Sequence, residues 1–259
     1  MLYGAPLDAT VSFRPGSRFG PSAIRAASPV LEEWSPTLGV GFSERPFSDL
    51  GDLEFSPGDV DGALAAIGEL TGRILDEGKR PLLLGGEHLV TWPAVVAVAR
   101  RHPGVRVLQF DAHADLRLDY MGRAASHATV MRRVAEVIGP DRCYQVGIRS
   151  GTAEEWRFAQ GSTHFAPGAC ALPAAWRADL AQGPVYVTVD IDFVDPAYAP
   201  GTGTPEPGGA TGRDLLQAID GLAGLSLLGA DVVEVAPAYD PGGVTAVLAA
   251  KVVRELLLL

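Results

Sequence analysis

The chain is poor in cysteine, in basic charge and in long apolar runs, and each shortage removes a class of protein. Its 259 residues include two cysteines, Cys143 and Cys170, in unlike contexts. Neither has metal-ligand spacing, which argues against a disulfide scaffold or a thiolate site and makes the reducing cytoplasm the expected location. Lys and Arg number 21 against 31 Asp and Glu, a net charge of −10. That balance disfavours nucleic-acid partners and attracts small cations. No apolar run approaches the roughly 20 residues of a membrane-spanning helix, so no membrane partner is expected. The opening Met1-Leu-Tyr-Gly-Ala-Pro6 has neither the basic start nor the apolar stretch of a secretory leader. There is no repeat, linker or low-complexity block, and a single domain over 1–259 is expected.

What is present is a core-forming composition, 47% hydrophobic and 20% charged. A short strand at 2–4 leads into a Gly/Pro-rich loop, after which Ser22 is placed to cap a helix from Ala23. The stretch 34–57 is irregular, with room for one edge strand. From Val60 to about Glu77 the stripe Leu64, Ile67, Leu70 and Ile74 predicts a helix, closed by Gly78. Strands are expected at 81–84, 105–110, 143–148, 184–189 and 225–233. Helices are expected from about 89 to 100, through 137, over 154–158, 176–180 and 211–223, and from Gly243 onwards. Residues 161–173 carry little pattern. The alternation predicts an α/β fold, a three-layer α/β/α arrangement with a mainly parallel sheet and ligands outside the carboxyl ends of its strands.

The chemistry gathers at those ends. Asp111-Ala-His113-Ala-Asp115 follows one strand, and Asp190-Ile-Asp192 follows another. If the chain stays extended, residues 111, 113 and 115 share one side. Carboxylates packed together repel and lose hydration unless something positive sits among them, and a divalent metal is the economical answer. His88 and Glu234 also fall just after strands. Four aspartates and two histidines suit two ions, and an oxygen-rich set without thiolate favours Mn²⁺ over Zn²⁺. Two such ions roughly 3.5–4 Å apart can activate a bridging water. Asp111 and Asp190, at the strand tips, are the expected bridges.

The sequence resembles the ureohydrolase family of arginases, agmatinases and relatives. The resemblance runs from about Gly4 to the C-terminus. It is carried by Gly85-Gly-Glu-His88, Asp111-Ala-His-Ala-Asp115, Asp190-Ile-Asp-Phe-Val-Asp-Pro196, Ser126-His127, Gly203-Thr204-Pro205 and Glu234-Val-Ala-Pro237. It implies an arginase-like fold and two manganese ions per subunit. One ion is implied on His88, Asp111, Asp115 and Asp190, the other on His113, Asp111, Asp190 and Asp192. A bridging hydroxide then attacks a guanidinium carbon. Glu234 pairs with the guanidinium, Thr204 supports that end, and His127 passes a proton to the leaving amine. Asp115 counts among the catalytic groups as well as the ligands. The family also implies a homotrimer or homohexamer.

Within the family, Pro200-Gly-Thr-Gly-Thr-Pro-Glu-Pro-Gly-Gly209 and Ser126-His-Ala-Thr129 resemble agmatinases. The loop Leu116–Ala125 lacks the Ser/Asn-bearing insertion that arginases use on an amino-acid head. Thr152 stands near the position where arginases supply an aspartate for the α-amino group. The expected substrate is therefore a small cationic guanidino compound without a carboxylate, such as agmatine, giving putrescine and urea. The alternatives are a guanidinobutyrase, arginase or guanidinase on the same site, with Arg149 as the partner for a substrate carboxylate, or a silent metal-binding subunit. Two departures from the family stand out: Ala128 where glycine more often follows this histidine, and a start almost at the first strand.

Other residues carry blander expectations. Glu87 is expected to orient a metal ligand. Asp195 is expected to be a turn residue and Cys143 core, and Arg14 and Arg18 are expected to tie down the first loop or a subunit contact. Arg132 and Arg133 are expected on a solvated helix face.

Overall fold

The computed structural model describes all 259 residues. Ten strands run in chain order: β1 (Leu2–Ala5), β2 (Trp34–Ser35), β3 (Val40–Gly41), β4 (Asp49–Asp52), β5 (Leu82–Gly85), β6 (Arg106–Phe110), β7 (Cys143–Val146), β8 (His164–Ala166), β9 (Pro184–Asp190) and β10 (Ser226–Val233). Eight helices alternate with them: α1 (Gly20–Ala27), α2 (Val60–Asp76), α3 (Thr91–Arg101), α4 (Val130–Ile138), α5 (Ala153–Ser162), α6 (Ala174–Leu180), α7 (Gly212–Asp220) and α8 (Val244–Leu258). Eight of the strands form one sheet in the order β4-β1-β5-β10-β9-β6-β7-β8. Every pairing in it is parallel, and only the small β2–β3 hairpin is antiparallel.

Burial on both faces explains the near-continuous apolar strands. One face, with Leu84, Leu108, Val187 and Val232, packs on α1, α7 and α8 through Ile24, Leu215, Ile219, Val252 and Leu256. The other, with Leu83, Val107, Cys143 and Tyr186, packs on α2, α3 and α4 through Ile67, Val95, Val98, Met131 and Val134. The three-layer expectation holds, and Cys143 is core.

The structure departs from the sequence reading at a few boundaries. Helix α1 begins at Gly20 with Pro21 in its first turn, where a missing N–H costs nothing. Ser22 lies inside it and donates to the carbonyl of Phe19 instead of capping. Helix α5 runs to Ser162 because Thr152 and Glu155 form a reciprocal capping box. Strand β8 lies in the stretch that carried no pattern; it is three half-buried residues on the sheet edge, too short to alternate.

The topology positions the site. Strands β5 and β6 are consecutive in this sheet's chain order, yet β9 and β10 lie between them. Four neighbouring strands, β5, β10, β9 and β6, therefore deliver His88, Glu234, Asp190 and Asp111 to one edge. That is the crevice where open α/β sheets bind ligands. The first loop is laid over the same edge. A Cβ on Gly86 would stand 1.9 Å from the carbonyl oxygen of Leu7, so only glycine lets that loop lie against the β5 turn.

Candidate active site and metal centre

Two clusters of metal-ligand side chains form at this edge, His88–Asp111–Asp190 and Asp111–His113–Asp192. Within each, the ligand atoms lie within 4.8 Å of one another. Asp111 belongs to both. Its Oδ2 is 3.0 Å from Nδ1 of His88, and its Oδ1 is 3.7 Å from Nδ1 of His113. Asp115 joins the first cluster, with Oδ2 3.2 Å from His88 Nδ1. Asp190 Oδ2 is 3.4 Å from the same nitrogen. Asp190 Oδ1 accepts the Asp192 amide at 2.9 Å, so the residue that visibly spans the two clusters is Asp111.

The convergence comes from a turn, not an extended run. The amide of His113 donates to Asp111 Oδ1 at 2.6 Å, and Asp115 adopts φ 53°. A left-handed aspartate reverses the chain and swings its carboxylate back towards His88. Glu234 is likewise left-handed, at φ 64°, with Oε1 accepting the His88 amide at 2.8 Å.

The charges favour positive company. Burial alone would lower the His88 imidazole, but Asp111, Asp115 and Asp190 outweigh it and raise it well above its usual range. Burial also lowers His113, and Asp192 and Asp111 reverse this to about 12. Burial and the Asp111 charge push Asp115 up to about 7. Burial and the neighbouring Asp192 and Asp111 raise Asp190 strongly. Protons are thus favoured on these groups wherever the crowded carboxylates call for positive charge.

The donor set fits a metal by a direct observation. His88 Nδ1 is buried without a hydrogen-bond partner while three carboxylates face it. Behind it, Nε2 lies 2.9 Å from Thr188 Oγ1, and Thr188 gives its proton to Asp231 Oδ1 at 2.6 Å. Thr188 must therefore accept from Nε2–H, so Nδ1 is the nitrogen that faces the carboxylates and would offer its lone pair to an ion that displaces its proton. One proton could satisfy only one of the three carboxylates; a divalent ion serves all of them.

A cleft of about 300 Å³ opens over the clusters, lined by His88, His113, Asp115, His127, Asp190, Thr204 and Glu234. Thr204 Oγ1 is 3.5 Å from Asp192 Oδ2, at the limit of a hydrogen bond. His127 sits on a 3-10 turn, His127–Thr129, and Ala128 also lines the cleft. Burial, with the charges of His113, His88 and Arg117, lowers His127 to about 4. Burial and the Glu87 charge raise Glu234 to about 8.

Some expectations are corrected. Arg149 does not line the cleft; its guanidinium donates to the carbonyls of Asp192 and Glu206 at 2.7 Å each, locking the following loops. Glu87 orients no ligand; it accepts the Thr10 amide at 3.1 Å and faces His127. Thr152 lines the cleft, where arginases place their aspartate, with its hydroxyl accepting the Glu155 amide at 3.2 Å. As expected, Asp195 holds a turn, accepting the amides of Ala197, Gly208 and Gly209. Sequence reasoning missed Thr188 and Asp231, which face one another across β9 and β10. It also missed Ser12, Arg117 and Tyr120 in the cleft wall. A polar pair inside two apolar strands was the one available signal for Thr188 and Asp231.

Fold and clusters together define a class, the α/β/α hydrolases with a carboxylate- and imidazole-lined cleft. The family model described as the arginase family matches residues 1–259, and the chain belongs to that family. It is therefore an amidinohydrolase, acting on the C–N bonds of linear amidines. It is 47% identical to the agmatinase of Bacillus subtilis (strain 168), over 100% of this chain and 90% of the relative. It is 39% identical to the guanidinobutyrase of Pseudomonas aeruginosa, over 98% and 84%. The agmatine ureohydrolase of Thermoplasma volcanium superposes with a TM-score of 0.88 at 34% identity, covering 99% of this chain and 87% of that one. No helix is long and apolar enough to cross a membrane.

Proposed function

We propose that this chain is a binuclear manganese enzyme that hydrolyses agmatine to putrescine and urea. The carrying observation is the pair of clusters sharing Asp111, with the unpartnered His88 Nδ1 at its centre and the cleft above. Similarity to the Bacillus agmatinase supports the substrate. His88, Asp111, Asp115 and Asp190 would hold one ion, and His113, Asp111, Asp190 and Asp192 the other. When bound, the ions supply an activated water at neutral pH.

The chain's own groups do the rest. Glu234 has one oxygen fixed on the His88 amide, and a guanidinium arriving beside it would displace the proton that burial favours and pair with the carboxylate. Thr204 backs that end of the substrate. His127, partly buried at the cleft wall, protonates the departing amine. Manganese, the cytoplasmic location, a homotrimeric or homohexameric assembly and a single domain over 1–259 belong to the same proposal. The unpaired Cys143 and Cys170 support the location.

Urea release from agmatine, guanidinobutyrate, arginine and guanidine, measured side by side with added Mn²⁺, tests it. Agmatine is expected to give the highest kcat/KM; no urea from any of the four would end the proposal. A guanidino-acid hydrolase is the second reading, favoured by Arg117 in the cleft lining, where a substrate carboxylate could meet it. A clear preference for guanidinobutyrate would select that reading.

A further inference from the structure

We infer that Thr10 and Glu87 form a hydrogen-bonded relay that sets the tautomer and aim of His127, so that the first loop belongs to the reaction machinery. This rests on the proposal that His127 protonates the leaving amine. The Thr10 amide donates to both Glu87 oxygens at 3.1 Å, and the Thr10 hydroxyl donates to Oε2. Having given its proton to the carboxylate, Thr10 Oγ1 can only accept from the histidine. It accepts the His127 amide at 3.0 Å and lies 3.3 Å from Nδ1. Glu87 Oε2 stands behind, 3.9 Å from that nitrogen.

The direction of the protons follows. Nδ1 carries a hydrogen towards Thr10, and Nε2 is left for the cleft. There it lies 3.4 Å from Ser12 Oγ. The Tyr120 ring packs edge-on at 5.6 Å and limits rotation of the imidazole. Nε2 takes a proton from solvent in the cleft, and the imidazolium so formed, with the Glu87 carboxylate beside it, passes that proton to the departing amine. The loop itself is braced: Asp8 accepts the Gly16 amide at 3.0 Å and pairs with Arg18. Thr10 and Glu87 are positioning residues, because neither lines the cleft.

Thr10→Val and Thr10→Ser in the manganese-loaded enzyme test the relay. The valine variant is expected to lower kcat for urea release by about ten- to a hundredfold, part of what a general acid contributes. KM should move by less than about twofold and metal content should stay at the wild-type value, since a relay acts on the proton and not on binding. Serine should restore kcat to within about twofold, because it keeps the hydroxyl. Adding Thr10→Val to His127→Ala should cost nothing further. Wild-type kcat in the valine variant, or full additivity in the double variant, overturns the inference.

The ¹⁵N shifts of the His127 ring in wild-type enzyme loaded with diamagnetic zinc, at mildly alkaline pH, need no variant. Hydrogen on Nδ1 supports the relay, and hydrogen on Nε2 defeats it. Wild-type enzyme that releases no urea would defeat the functional reading, while these shifts would still decide the tautomer.

Discussion

The two clusters share Asp111 but sit in unlike surroundings. His88's side chain is 1% exposed, whereas that of His113 is 25% exposed. His88 faces three carboxylates and is braced from behind by Thr188 and Asp231. His113 faces Asp192 at 2.9 Å and rests beside Ser150, at the cleft. The difference teaches what each ion would do. The first cluster's side chains are almost fully buried although they floor the cleft, so a cation there would relieve charge that water reaches poorly. In the second, His113 meets solvent at the cleft while Asp111 and Asp192 stay buried.

The most severe test removes what the clusters share. Asp111→Ala should strip both ions, abolish urea release and collapse the comparison, with metal content read by mass spectrometry. Wild-type metal content in this variant would show that Asp111 spans nothing. Next, His88→Ala should cost more than His113→Ala. It leaves three buried carboxylates without their imidazole, a loss of about 3–5 kcal/mol for a broken buried pair, whereas His113→Ala frees Asp192 as the one close partner and opens the gap to solvent, a smaller loss. Chemical denaturation of the two variants without metal measures this, and equal losses would erase the distinction.

His127→Ala is the control that touches neither cluster. Its kcat should fall about 10²-fold or more with metal content unchanged, since it removes only a proton donor. The smallest effect is pH. Asp115 holds its proton up to about 7, and His113 up to about 12, in the metal-free fold. Binding must expel those protons, so affinity rises with pH, about tenfold per unit for each proton released. Titration calorimetry from mildly acid to mildly alkaline pH checks the sign. Affinity that stays flat would mean the ions displace no protons.

Much of this was legible in the chain, for physical reasons that can be named. Strands β6 and β9 are apolar runs that end abruptly in aspartates, and no core explains carboxylates there. That pattern located Asp111, Asp190 and their neighbours and predicted the parallel sheet. Directions were not legible. Glu87 and His88 are adjacent, yet one turns to the first loop and the other to the metal cluster. Arg149 follows a strand like the site residues, but backbone carbonyls capture it. Thr10 reaches His127 across 117 positions, and a threonine in a Gly/Pro-rich loop gives no sign of such a partner.

The interleaved sheet has a consequence for synthesis. As the chain leaves the ribosome, β5 and β6 emerge early but must not zip to each other, because their rightful neighbours are β9 and β10. The gap between them stays open until residue 233 has appeared. Nascent chains therefore display bare inner strand edges for most of their elongation, the kind of surface that recruits chaperones or self-associates. The last strand to be made, β10, takes the place between β5 and β9 and carries Glu234 to the cleft.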